Sequence, residues 1–400
     1  MVVLKQLLTR QKGFNVQYRN RFFRVIRSVV LLCLLLIGMG EPALALVTNT
    51  VFESGTEGYN TFRIPAIIRA PQRLLAFCEG RRDGGGDSGE IDLVLKHSTD
   101  GGATWSPLSV AVHDPGFTCG NPAPVYEARS GQVVLVWTKN PASATEARIL
   151  TGEDLPRTVW VSRSSDEGAT WSAPEEISAT ASRPEWRWYA TGPGHGIQLQ
   201  SGRLLIPANH SLGEDYAGWF SHVIYSDDGG VTWAIGGIHE GRTNESTVAE
   251  LPGGRVYQNM RSYTGEHRRR VSYSEDGGLS WATDATDQAL VEPVCQASVL
   301  GDATSPLLLF SNPASTKREN LTVRGSLDGG KTWGESLVLH GGPSAYSDLV
   351  RINEETAGCL YEGGAKSPYE TIVFAAFPLS RLKPGFGPIE QGARDGADKE

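Results

Sequence analysis

Five copies of one eight-residue phrase punctuate the chain, at Ser98 to Trp105, Ser164 to Trp171, Ser226 to Trp233, Ser274 to Trp281 and Ser326 to Trp333. All fit S-x-D-x-G-x-[TS]-W, and successive starts lie 66, 62, 48 and 52 residues apart. A recurring unit of this length marks a radial or stacked architecture. The spacing is too long for one hairpin and suits one four-stranded propeller blade plus a variable loop. Within the phrase, Ser and Asp side chains can bond the amides of a tight turn. The glycine at the fifth position permits positive φ. The closing Trp is expected to bury its ring against its own blade. The repeated carboxylates Asp100, Asp166, Asp228, Asp276 and Asp328 therefore read as turn staples. Five copies spread around a ring cannot converge on one substrate.

Between these phrases, apolar runs alternate with Gly and Asp-Gly turns. Leu74 to Phe77, Leu93 to Lys96, Val133 to Trp137, Leu204 to Pro207, Leu307 to Phe310 and Ile372 to Phe377 read as strands. No amphipathic pattern of three helical turns stands out. The expectation is an all-β chain with one catalytic domain over residues 46–384, a six-bladed β-propeller at about 55 residues per blade. Residues 385–400, rich in Gly and charge, read as a disordered tail.

The N-terminus carries Lys5, Arg10, Lys12, Arg19, Arg21, Arg24 and Arg27, then an apolar run from Val29 to Met39, then Pro42-Ala43-Leu44-Ala45. This is the grammar of a secretory signal cleaved after Ala45, and the run is short for a bilayer span. The expected location is secreted or periplasmic. The long basic region keeps open an uncleaved anchor. No permanent membrane span is expected after cleavage. A formal net charge of −8 without a long basic stripe argues against nucleic acid as a partner. Cys78, Cys119, Cys295 and Cys359 match neither a zinc pattern nor a CxxC site, and read as small buried hydrophobes in strands. No cofactor and no dedicated metal motif is expected.

Several polar residues sit where a mere scaffold would not need them. Arg63 interrupts an apolar strand in Phe62-Arg63-Ile64-Pro65, Arg261 follows Gln258-Asn259-Met260, and Arg318 lies in Thr316-Lys317-Arg318-Glu319. With the five boxes, this set resembles the exo-sialidases (neuraminidases) of the bacterial and animal type. The resemblance runs from Val51 to Phe377 and continues in order. Ala76 to Arg81 with Asp87 is similar to the segment of the family's acid. Asn244 to Glu250 is similar to that of its buried glutamate. Asn259 to Ser262 and Phe310 to Asn312-Pro313 before Arg318 resemble the segments of the second and third arginines. Ala345 to Leu349 resembles that of the catalytic tyrosine, and Gly358 to Glu362 the strand after it. The resemblance implies a six-bladed propeller presenting these residues around a central depression, and hydrolysis of terminal sialic acid from glycans.

The chemistry follows on its own terms. A sialic acid carries a carboxylate on its anomeric carbon. Arg63, Arg261 and Arg318 would give that anion planar, permanently charged, multidentate donors, where lysine would give a point charge. Each charge-assisted hydrogen bond is worth about 1.5–3 kcal/mol. A carboxylate nucleophile would meet this like charge at close range, so a phenol is the better attacker. A tyrosine nucleophile is the known exception for sialidases among retaining glycosidases. The resemblance then implies Tyr346 as nucleophile, Glu245 as its base and Asp87 as acid/base on the glycine-rich loop from Gly84 to Gly89. Asp87 is preferred over Asp83 because it keeps the spacing of the animal enzymes it resembles to the following strand, and on reach; Asp92 falls inside that strand. Arg81 and Asn121 are further candidates for substrate contact. Glu362 is assigned to hold Arg63 in place. His195 reads as a structural or rim residue, because no carboxylate stands at a telling spacing. Trp186, Trp188 and Tyr189 are either an aromatic wall or loop packing. A glycosidase for another nonulosonic acid such as Kdn, a transferase outcome, and a non-catalytic propeller binding module remain as alternatives.

Overall fold

The computed structural model describes residues 46–382. The expected signal (1–45) and tail (385–400) lie outside the described residues. Every run read as a strand is one, and the regular structure of the described residues is almost all β-strand.

The strands form four hydrogen-bonded sheets built from antiparallel up-and-down runs. An eight-stranded sheet passes through Thr61–Arg69, Leu74–Arg81 and Ile91–Ser98 and continues through Phe117–Glu127, Gln132–Pro141, Thr158–Ser164 and Glu175–Glu176, with Ser109–Val112 on its edge. Its two halves are joined by one parallel bridge, Ile91 to Thr118. In a second sheet Tyr189–Thr191 and Ile197–Gln198 both pair with Leu204–Ser211, followed by Trp219–Ser226 and Ala234–Ile238. The third runs from Thr243–Glu250 through Val256–Ser262 and Arg268–Ser274 to Ala285–Val291. A seven-stranded sheet starts at Ser298–Asp302 and ends where the first strand, Val47–Glu53, pairs with the last, Thr371–Pro378. In it the long strand Ser336–Arg351 pairs first with Glu319–Ser326 and then with Thr356–Gly363. The six-residue helix Glu146–Thr151, capped by Thr145, is short enough to have left no periodic signal.

The five repeated phrases form the same turn. In the first, the Ser98 hydroxyl donates to Asp100 Oδ1 at 2.8 Å and accepts from the Gly102 amide at 2.8 Å. Asp100 also accepts from the Thr104 amide (2.9 Å) and hydroxyl (2.6 Å). Gly102 has φ 93°, and a Cβ there would lie 2.0 Å from Phe374, so both conformation and space require glycine. One expectation changes. The Trp105 ring packs edge-on to Phe374 and the Trp171 ring edge-on to Phe77, at 5.3 and 5.9 Å between centroids. Both partners belong to neighbouring antiparallel runs, so these boxes staple one run to the next as well as closing their own turn.

Hydrogen bonds from Thr104 and Thr170 hold the Asp100 and Asp166 carboxyls down at about 2. For Asp228, Asp276 and Asp328 burial is the largest single influence and raises the carboxyl, but the hydrogen bonds of the turn together outweigh it and leave these groups also at about 2. A carboxyl depressed in the folded state contributes stability that is present above the unfolded value, about 3.9. That stability is lost as pH falls through the folded value. Thermal stability is therefore expected to drop between about pH 4 and pH 2, and less steeply when these aspartates are replaced by asparagine. A melting temperature independent of the five carboxyls across that window would remove the inference.

All four described cysteines are free and buried; Cys78, Cys119 and Cys359 lie in strands as expected, whereas Cys295 lies in the segment before Ser298–Asp302.

Candidate active site

The inner strands reach one cavity of about 300 Å³, and irregular backbone aims their side chains into it. Register breaks fall between Arg63 and Ala66, Gly120 and Ala123, Thr243 and Ser246, and Ser344 and Ser347. Arg63, Asn121, Glu245 and Tyr346 all lie at these breaks. A bulge of this kind bends a strand and redirects one side chain. Ile64 (φ 60°) and Asn121 (φ 55°) adopt left-handed backbone, which for a β-branched isoleucine is a strained outlier.

Arg63, Arg81, Asp87, Asn121, Glu245, Arg261, Arg318 and Tyr346 all line the cavity, although they come from separate stretches of chain. Asp83 is exposed and does not line it. Asp92 is buried in its strand, bonded by Tyr59 and Arg82.

Tyr346 is the centre of the cluster. Its hydroxyl donates to Glu245 Oε1 at 2.5 Å. Arg261 Nη1 donates to Glu245 Oε2 at 2.7 Å and lies 3.3 Å from the Tyr346 oxygen. The Arg63 and Arg318 guanidiniums stand 5.2 and 5.6 Å from the centre of the Tyr346 ring. Burial, and then the Glu245 charge, push the phenol well above its ordinary value, so it rests neutral. Three guanidiniums thus surround one neutral phenol bonded to one carboxylate. The buried Arg261 Nε has no partner.

Glu362 is fully buried and serves three donors. Oε1 accepts from Arg63 Nε at 2.7 Å and from the Ile64 amide at 2.9 Å, and Oε2 accepts from the Tyr346 amide at 3.1 Å. One carboxylate fixes both the strained bend at Ile64 and the strand that carries Tyr346.

Asp87 is the most exposed member. Its carboxylate lies 2.8 Å from Arg81 Nη2 and 3.9 Å from Arg63 Nη1. Partial burial raises the carboxyl, but Arg81 and Arg63 more than offset this and hold it below the usual range. Arg81, which lines the cavity, also has a structural task. It is buried, bonds Glu79 through Nε and Nη2, and gives Nη1 to the Gly85 carbonyl. These bonds, with the contact to Asp87, anchor the loop that carries the acid. Asn121 is likewise tied down, its Oδ1 accepting from Arg157 Nη1 at 2.8 Å.

His195 lies outside this cavity, and its partner is a carboxylate after all, Asp348 at 2.7 Å. That aspartate also accepts from the Ile67 amide and Ser298 hydroxyl. Of the three aromatic residues, Trp188 lines the cavity with Arg157 over its ring at 4.4 Å, whereas Trp186 stacks on His210 and Tyr189 is buried core.

Sequence reasoning missed several groups. Glu146 lines the cavity, and burial and then Asp87 raise its carboxyl. Arg157 is buried there, lowered by burial to about 10. Asn209 lines it too. Tyr369 accepts a hydrogen bond from Arg318 at 2.6 Å and lies 4.2 Å from the Arg63 guanidinium. None of these stands in a telling local pattern.

The chain matches the BNR repeat-like domain over residues 72–360. It is 30% identical over 368 residues to an exo-alpha-sialidase of Aspergillus fumigatus, covering 82% of this chain and 86% of that protein. It is 32% identical over 417 residues to sialidase-3 of Bos taurus, covering 85% and 94% respectively. Among solved structures it resembles the Hadza microbial sialidase Hz136, with a TM-score of 0.76 at 30% identity, over 84% of this chain and 69% of that one. Such likeness spans nearly the whole described chain, so the chain belongs to the exo-sialidase (neuraminidase) family and is a glycoside hydrolase of the exo-α-sialidase type.

Proposed function

We propose that this protein removes terminal sialic acid from glycoconjugates with retention of configuration, through a covalent link between Tyr346 and the sugar. The observation that carries the reading is the 2.5 Å Tyr346–Glu245 hydrogen bond inside a ring of three arginines. The same reading takes the four sheets as six blades of a closed ring, with the bridge at Ile91 and the long strand Ser336–Arg351 joining blades that hydrogen bonding alone runs together.

The arginines receive the substrate carboxylate and orient the anomeric carbon over the phenol. As the Tyr346 oxygen bonds to C2, its proton passes to Glu245, and the bond from C2 to the leaving oxygen breaks. Asp87 supplies the proton that oxygen needs. In the second half, water attacks C2 while Asp87 takes its proton. The C2–tyrosyl bond then breaks and the phenol regains its proton from Glu245. Arg261 touches both Glu245 and the phenol oxygen, so it stabilises the phenolate character that develops during transfer.

Proton NMR of a sialoside hydrolysis tests the route. The first-formed sialic acid is expected as the retained anomer, and a 2,3-difluoro sialosyl probe should leave a mass increment on the peptide containing Tyr346. An inverted first product, or an increment on a different residue, would overturn it.

Asp87 must be protonated before it can act, yet two guanidiniums hold it low in the free protein. Productive binding therefore takes up a proton. For glycans with poor leaving groups kcat/KM should fall as pH rises above the carboxyl range. Asp87→Asn should cost such substrates about 10²–10⁴-fold, and aryl sialosides, which need little proton donation, far less. Equal losses on both would rule Asp87 out as the acid.

A further inference from the structure

One side chain of the cavity is unmatched in a way the mechanism does not use. Asn209 is 1% exposed and lines the cavity, yet neither its Nδ2 nor its Oδ1 has a hydrogen-bond partner. Buried carboxamides are nearly always paired, and a bare donor beside a bare acceptor weakens the folded state. The neighbouring strands offer no remedy. Ala190, opposite on one side, has no polar side chain, and Ser221, opposite on the other, gives its hydroxyl to the Asn244 carbonyl. Arg157 directs its bonds to Asn140, Asn121 and the Tyr189 carbonyl.

Asn209 also stands on a different wall from the arginine cradle. Its sheet contains neither Arg63, Arg318 nor Tyr346. A sugar whose carboxylate is held by those arginines reaches across the cavity with the rest of its ring and arms.

We infer that Asn209 is a specificity-determining residue that binds a vicinal diol of the substrate, namely the polyol arm of a nine-carbon sialic acid. The inference rests on the exo-sialidase reading. A carboxamide presents one acceptor and one donor side by side. A vicinal diol answers both, one hydroxyl donating to Oδ1 and its neighbour accepting from Nδ2. The acylamino group at C5 fits less well. It is a trans secondary amide, whose N–H and C=O point to opposite sides, so one carboxamide can engage only half of it. The C4 hydroxyl has no adjacent free hydroxyl. The C7–C9 arm supplies adjacent hydroxyls at C7–C8 and C8–C9; the competing pair, the C4 hydroxyl beside the C5 N–H, would give equal losses on the two substrates compared below.

The test uses Asn209→Leu, which keeps the volume and removes both polar atoms. Two substrates are compared: a full-length α-sialoside, and the same compound with its arm shortened to C7 by mild periodate oxidation and reduction. The variant should lose roughly 10–100-fold in kcat/KM on the full-length compound. On the shortened one it should lie within about threefold of wild type, because the pair it deletes is already gone. The ligand-free variant should melt about 1–4 °C higher, since two unmatched buried atoms are removed. A lower melting temperature would mean that Asn209 is bonded within the protein, and equal losses on both substrates would mean that it does not read the arm. Either overturns the inference. So would a wild-type/variant difference that vanishes on exchanging the C5 acylamino group for hydroxyl, which would place Asn209 at C5. If wild type hydrolyses neither compound, the exo-sialidase reading itself fails, an outcome separable from the others.

Discussion

Tyr346→Phe is expected to lower kcat on a fluorogenic sialoside by on the order of 10³-fold or more, the scale seen when a covalent nucleophile is deleted. The substitution removes one oxygen and little else. The ring that Arg63 and Arg318 flank remains, so capture of the substrate carboxylate should survive. Binding of free sialic acid should change by less than about threefold, because the interaction lost belongs to the transition state. The deletion also leaves Glu245 Oε1 without its donor, while Oε2 keeps Arg261. A modest stability loss of about 1–3 kcal/mol is expected with it. Residual turnover above a tenth of wild type would end the case for a tyrosyl intermediate.

The second large effect belongs to Glu362. Truncation to alanine strips three donors at once, namely the Arg63 guanidinium and the amides of Ile64 and Tyr346, all in a buried setting. Breaking one side of a buried ion pair costs about 3–5 kcal/mol, because the orphaned charge stays desolvated. Urea unfolding should register a loss of that size. Activity should fall further than the folded fraction, since Arg63 is then free to leave the cradle and Ile64 loses the bond that holds its left-handed bend. Glutamine is not a rescue. Its amide nitrogen would face a backbone donor where Oε2 now accepts. An alanine variant within 1 kcal/mol of wild type would show that Arg63 finds other company, and that Glu362 is no anchor.

The readable parts of the sequence were those whose chemistry is local. Each box carries its Ser, Asp, Gly and Trp within eight residues, so the turn could be drawn before any tertiary contact was known. Arg63 betrayed itself by interrupting an apolar strand. Other features depend on encounters between distant segments. Tyr346 and Glu245 are 101 residues apart, and His195 and Asp348 are 153 apart. At that separation no sequence spacing marks Asp348 as the partner of His195. Asn209, Glu146, Arg157 and Tyr369 are single polar residues in unremarkable surroundings. Only Asn209 lies in a strand, and alternation alone does not say that its face meets the cavity; Glu146 opens a short helix, and Arg157 and Tyr369 sit in connecting segments where no periodicity marks an inward side chain. The bulges that re-aim Arg63, Asn121, Glu245 and Tyr346 break that alternation at the very positions where orientation matters most.

The pairing of Val47–Glu53 with Thr371–Pro378 has a consequence for biogenesis. The earliest of the described strands acquires this hydrogen-bonding neighbour only when nearly all the rest has been synthesised. Until then an extended segment with bare amides waits in solution, open to mispairing with any exposed sheet edge. Completion depends on contact between the two extremes of the domain, the kind of long-range closure that slows folding. Nascent chains stalled before residue 371 should therefore stay protease-sensitive at the Val47 strand, however well their middle portions have already formed.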